Sequence, residues 1–283
     1  MFDFLSELLS YRFMQLSLAA CILASIGCGL MGALVVVRRI SFVAGGIAHT
    51  VLAGIGLAVF LQGSPMVGAV MAAMASAVLI GWIKLRWRQD EDVLIAAFWS
   101  VGMALGILFM SRTPGYGVDL MSYLFGNILL ITEKEILKMF LLDAAIIVLL
   151  LLFYKQIIAS SFDEEFARLR GSRVDAIYIL MLCMVALTVV LLIQIVGIIL
   201  VIALLVLPAA SAAQFANSVS RLMALSVLFS MLITVSGLLL SYQPDLPSGS
   251  TIILLAGVVY LLSMVIRSIL LQRRKRALAA SSR

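Results

Sequence analysis

Long apolar runs separated by short polar breaks organise this sequence from one end to the other. A bilayer core about 30 Å thick requires about 20 apolar residues for each spanning helix. Nine runs come close to that size, at residues 13–37, 42–61, 65–83, 93–110, 135–153, 174–195, 196–215, 222–241 and 251–271. The pattern predicts an all-α polytopic membrane protein of about nine transmembrane helices, a single domain over residues 1–283. One boundary is weak. Residues 174–215 are almost continuously apolar, with Gln194 and Gly197 as turn signals and Pro208 breaking the second half, so a broken or re-entrant helix there would leave eight spans.

Basic residues near the ends of the runs set the orientation, because cytoplasmic loops collect Lys and Arg. Arg38 and Arg39 close the first run; Lys84, Arg86 and Arg88 close the third; Lys155, Arg168, Arg170 and Arg173 fall between the fifth and sixth. Arg221 precedes the eighth, and Arg267 and a basic tail at 272–283 end the chain. With all of these inside, Arg12, Arg112, Lys134 and Lys138 stay outside, a split of 16 to 4 over the 20 basic residues. The amino end is then outside and the carboxyl end inside.

Composition agrees. Hydrophobic residues make up 64% of the chain and charged residues 12%, against about 25% charged in soluble domains, and the mean hydropathy is +1.20. The net charge of +6 is therefore topological, and membrane lipid, not nucleic acid, is the expected surroundings. Asp3 and Glu7 precede the first run without a basic start or a small-residue cleavage site, so the run does not read as a removable signal peptide. Cys21, Cys28 and Cys183 lie in apolar stretches at no metal-ligand spacing, where cysteine behaves as a small buried hydrophobe.

The second run, SFVAGGIAHTVLAGIGL at 41–57, holds the single histidine of the chain, His49. Glycine or alanine occupies positions 44, 45, 46, 48, 53, 54 and 56, so this helix is built to pack closely on protein. A titratable side chain in such a helix either lines a path or hydrogen-bonds across an interface. Asp143 is the carboxylate standing well inside a run, eight residues past Glu135 and roughly 12 Å deep at 1.5 Å per residue. It is a candidate cation ligand, or a hydrogen-bonding partner of a neighbouring Ser, Thr or backbone group. Gly102 and Gly106, and Gly27, Gly29 and Gly32, have the spacing of close helix crossings.

Outside the runs, residues 111–134 contain RTPGYGVD and then LMSYLFGNILLI, an interfacial or partly re-entrant helix too short to span. A proline-rich turn at 242–250 carries Asp245 near the outer surface. On the inner side, SSFDEEFARLRGS at 160–172 reads as a two-turn helix: Ser161 caps it, Asp163, Glu164 and Glu165 fill its first turn, Arg168 and Arg170 its last, and Gly171 ends it. Phe162, Phe166 and Leu169 share one face, which suits docking into a groove of a cytoplasmic partner, or the segment is an ordinary solvated connector. The sequence lacks GxxxxGK[ST], HExxH and GxSxG, and one histidine cannot form a multi-His zinc centre, so no enzymatic activity is expected.

Five stretches in this order resemble the integral-membrane permeases of ABC importers for zinc, manganese and iron, the ABC-3 type: VVVRRISFVAGGIAHTVLAGIGLA from Val35, DLMSYLFGNIL from Asp119, FDEEFARLRG from Phe162, VGIILVIALLVLPAASA from Val196 and DLPSGSTIILLAGVVYLLS from Asp245. The resemblance implies the fold of the larger vitamin B12 and siderophore permeases and a homodimer in the bacterial plasma (inner) membrane. It further implies an extracytoplasmic metal-binding solute-binding protein as donor, and two copies of a separate ATPase subunit that bind the ATP. It makes 160–172 the coupling helix, with Phe162, Glu164, Glu165, Phe166, Ala167 and Gly171 against the ATPase, and sets His49 beside the pathway. Many relatives carry Asp where this chain has Gly45 and again where it has Asn127, so His49 here would be a transient ligand.

The reading is a permease that passes a divalent transition metal inward, zinc before manganese or iron, binding no cofactor of its own. The rivals are a permease for a metal chelate or other small solute, an ion-gradient-driven secondary transporter, for which broken helices at equivalent places in two halves are the sign, and a structural membrane scaffold.

Overall fold

A bilayer offers backbone N–H and C=O groups no water, so a spanning chain must satisfy them within its own helices. The computed structural model describes residues 11–87, 90–113, 126, 128–242, 244 and 246–281, and their regular structure is helical. The elements are α1 (Arg12–Arg38), α2 (Ser41–Phe60), α3 (Pro65–Trp87), α4 (Glu91–Ser111), a 3-10 turn at Ile128–Leu130, α5 (Glu133–Phe162), the short α6 (Glu164–Leu169), α7 (Val174–Ala213), α8 (Val219–Tyr242) and α9 (Ser248–Ser281). The interfacial helix expected around 111–134, Asn127 and Asp245 lie largely or wholly outside the described residues.

Bare backbone decides how these helices meet. A Cβ at Gly54 would run into the carbonyl of Gly68, and one at Gly68 into that of Gly54, so α2 and α3 touch main chain to main chain. Gly102 and Gly106 do the same for α4, against Thr50 and Leu52 of α2, as their spacing predicts. Gly29 admits Val227 of α8 and Gly32 admits the Leu205 carbonyl of α7. α1, α2 and the first arm of α7 form the buried centre, about 70% enclosed, while α9 is the most exposed of the long helices.

Of the two counts that the sequence left open, nine spans or eight with a broken helix before Pro208, the structure has the second. Eight helices among the described residues are long and apolar enough to cross a membrane, and the seventh run instead forms the 13-residue piece Val201–Ala213. The chain reverses at Gly197, whose φ of 74° and ψ of 172° interrupt the helix. Contacts on α1 demonstrate the reversal. A Cβ on Gly27 would lie 3.7 Å from Leu191, while the thiol of the next residue, Cys28, donates to the Leu204 carbonyl at 2.7 Å. A straight helix would hold residues 191 and 204 about 20 Å apart. α7 is therefore a hairpin, with first arm Val174–Ile193 and return arm Val201–Ala213.

Pro208 has no N–H to give the carbonyl four residues before it, which is that of Leu204. The Cys28 thiol fills that place. Cys28 is thus a donor as well as a small buried side chain, a role its apolar surroundings in sequence hide.

The two ends of the bundle differ as the basic residues predict. At one end Arg38 meets the α5–α6 corner, Lys84 donates to Tyr178 at 3.2 Å, and Arg267 donates to the Gln214 carbonyl. At the other, Arg12 pairs with Glu133 at 2.5 Å and Phe13 packs on Tyr242 at 6.3 Å. Both arms of α7 return to the first end, which keeps the amino and carboxyl ends on opposite sides although one run is not a full span.

Candidate metal path and coupling surface

His49 sits midway along α2 on its face toward α4, 5% exposed, because the alanines and glycines around it let α4 approach. Its ring stacks on Trp99 of α4, centroids 3.9 Å apart and planes 19° apart. Its Nδ1 has no hydrogen-bond partner among the described residues. Trp99 has room to lie there because position 45 lacks a side chain. A Cβ at Gly45 would stand 2.6 Å from Ile202 Cδ1 of the return arm and 3.3 Å from Trp99 Cζ3. No carboxylate fits at position 45 without moving both, which is the physical sense of the glycine there.

Beside Trp99 lies a cavity of about 450 Å³, open to the outside of the bundle and lined by Phe42, Asp92, Ile95, Ala96 and Trp99. Phe42 and Asp92 are at the starts of α2 and α4, so the cavity occupies the end of the bundle where Arg38 and Lys84 gather. Along the outer face of α4, Ala96, Ser100 and Ala104 are exposed at four-residue spacing, a strip of small residues left uncovered within one chain.

Asp143 is elsewhere. It is 3% exposed on α5, packed against the bare backbone of Gly27 so closely that a Cβ there would be 2.6 Å from Oδ1. Neither carboxylate oxygen has a hydrogen-bond partner among the described residues. Among the described residues, the Ser, Thr or backbone bond that the sequence offered as its alternative role is not formed. His49 and Asp143 pack against different neighbours, Trp99 for one and Gly27 with α1 for the other, and no group of three His, Cys, Asp or Glu side chains able to hold a metal occurs among the described residues.

The inner segment forms a helix, six residues long instead of two full turns. Its cap is Asp163, whose Oδ1 accepts from the Phe166 N–H at 2.9 Å, and not Ser161, which ends α5 and donates to the Ile157 carbonyl at 2.6 Å. Ala167 is buried, whereas Phe162, Phe166 and Leu169 are 70%, 48% and 88% exposed. Glu164 and Glu165 are exposed, and Gly171 turns the chain at φ 80° with open space around it.

Arg38 fastens this segment. Its Nε donates to Ser161 Oγ at 3.1 Å, Nη2 to Ser160 Oγ at 2.9 Å and Nη1 to Glu164 Oε1 at 2.8 Å. One guanidinium fork thereby ties the last residue of α1 to the end of α5 and the start of α6. Sequence reasoning assigned Arg38 to topology alone and overlooked Trp99. Both act through contacts with residues 50 or more positions away, which no local pattern encodes.

Comparison with known proteins places this arrangement. The sequence profile described as the ABC 3 transport family matches residues 10–267. An uncharacterized membrane protein of Synechocystis is 42% identical over 94% of this chain and 95% of its own length. A probable metal transport system membrane protein of Chlamydia pneumoniae is 38% identical over 93% of each. The manganese transport system membrane protein MntC of Halalkalibacterium halodurans is 32% identical over 92% of this chain and 89% of its own. Among solved structures, PsaBC from Streptococcus pneumoniae in complex with Fab is similar at a TM-score of 0.83 and 32% identity, over 92% of this chain and 94% of that one. An inward-facing putative metal-chelate type ABC transporter shares the fold at a TM-score of 0.70 and 15% identity, over 89% and 85%.

Proposed function

This chain belongs to the ABC 3 transport family and is a multi-pass metal-transport permease, and on that premise we propose that it carries a divalent transition metal ion inward across a bacterial inner membrane, driven by ATP on a separate subunit. The observation that carries the coupling is the α5–α6 corner: Phe162 at the end of α5 and Phe166 and Leu169 on the six-residue α6 are exposed apolar side chains at the inner end, fastened to the spans by Arg38. A short helix of this kind fits a groove on a partner. Phe162, Glu164, Glu165, Phe166, Ala167 and Gly171 form the docking segment, and two ATPase copies would engage two permease copies.

The exposed Ala96, Ser100 and Ala104 strip supports a homodimer closed through α4, because small residues let membrane helices approach. His49 is the transient ligand beside that seam, and a solute-binding protein on the outer side supplies the ion. Of zinc and manganese, the name of the relative from Halalkalibacterium halodurans supports manganese, and an imidazole with carboxylates serves either. Movement of α6 on ATP binding reaches α1 and α2 through Arg38, and the glycine crossings let the spans rock.

The test is uptake of Mn²⁺ and Zn²⁺ into vesicles holding the permease with its ATPase. ATP-dependent accumulation is expected, and Phe166→Ala or Glu165→Gln should leave ATP hydrolysis running while uptake falls. Normal uptake in both variants would remove α6 from the coupling path, and accumulation by the permease alone against a proton gradient would identify a secondary transporter.

A further inference from the structure

We propose that the cavity beside Trp99 is a release chamber for the divalent cation, shut from His49 by the Trp99 ring and furnished with Asp92 as the carboxylate that receives the ion. The inference rests on the reading of the chain as a metal permease and adds to it a gate and a second ligand. The ring that covers His49 at 3.9 Å also lines the 450 Å³ cavity, whose lining does not include His49, so Trp99 is the side chain that both share. The imidazole under it has a buried Nδ1 with no partner among the described residues, a lone pair or proton held without compensation.

Asp92, Ile95, Ala96 and Trp99 recur at the spacing of one helix face, which puts Asp92 two turns, about 10 Å, below the ring. Asp92 thus stands in the first turn of α4, toward that end of the bundle, and Trp99 deeper along the helix. The volume takes an ion with a first shell of about six waters at ~30 Å³ apiece, so a cation leaving the dry imidazole is rehydrated before it reaches the inner side. Hard carboxylate oxygen after a borderline nitrogen gives a divalent metal a second foothold without a tight trap. Gly45 is what lets the gate lie flat, since a side chain there would press on the ring and on Ile202.

The experiment uses the permease with its ATPase in vesicles, with Mn²⁺ alone as probe. Asp92→Asn, an exposed and near-isosteric change, should lower ATP-driven uptake about tenfold, the range seen when a metal site loses one supporting group, with ATP hydrolysis unchanged. Trp99→Ala should let Mn²⁺ leak without ATP, and Trp99→Phe, which keeps a ring over the imidazole, should leak less. Leu254→Ala, 73% exposed on α9 and outside the cavity lining, is the control. Wild-type behaviour in Asp92→Asn and Trp99→Ala overturns the chamber while leaving the permease reading intact, as does a fall in uptake that ATP hydrolysis shares. A wild-type complex that moves neither Mn²⁺ nor Zn²⁺ overturns both.

Discussion

His49 and Asp143 are both titratable, both nearly enclosed, and both hold polar atoms without partners among the described residues, yet their surroundings differ in kind. His49 lies under a movable aromatic ring with a cavity beyond it. Asp143 lies against the unyielding backbone of α1 at Gly27, among Leu191 and other packed side chains. Burial of an ionisable group in a membrane helix marks a functional candidate, but access decides between a path and an anchor. A cavity adjoins the ring over His49 and offers an ion a space to enter.

Substitutions at four positions sharpen or break that contrast. The largest effect is expected from His49→Ala, which should reduce Mn²⁺ uptake about a hundredfold, the upper end of the loss when a metal site is disturbed, with the assembled complex still eluting as one species. Next comes Gly27→Ala, which forces a methyl against Asp143 Oδ1 and should cost roughly 1–3 kcal/mol of stability, read as a lower melting temperature in lipid. Cys28→Ala should cost about 1 kcal/mol by leaving the Leu204 carbonyl without its donor, and Cys28→Ser should recover most of it. Smallest is Asp143→Asn, within about 0.5 kcal/mol in stability and with uptake near that of the unaltered complex. A tenfold loss of uptake in that last variant would bring Asp143 into the path and dissolve the distinction.

Much of the fold was legible because a membrane leaves few choices. Run lengths located the eight spans, and Gly102, Gly106 and Gly27 announced their crossings by spacing alone. The hairpin of α7 was harder, since 196–215 is as apolar as any true span and the reversal hangs on the positive φ of one glycine among 20. Gly197 was noted as a turn signal, but whether such a residue bends or reverses the chain is settled by what α1 presents to it. At the inner helix the apolar face was readable and the cap was not: Ser161 and Asp163 are both good caps, and the demand of Arg38 for hydroxyl acceptors assigned them. His49 could be singled out by composition, whereas Trp99 and Asp92 acquire meaning only when α2 and α4 lie side by side.

The Arg38 fork has a consequence for life in changing surroundings. Two of its three acceptors are serine hydroxyls, which do not titrate, and a guanidinium keeps its proton throughout the biological range. The strap between α6 and the spans should therefore stay fastened as the pH falls, so that any acid sensitivity of import would originate outside these two serine contacts.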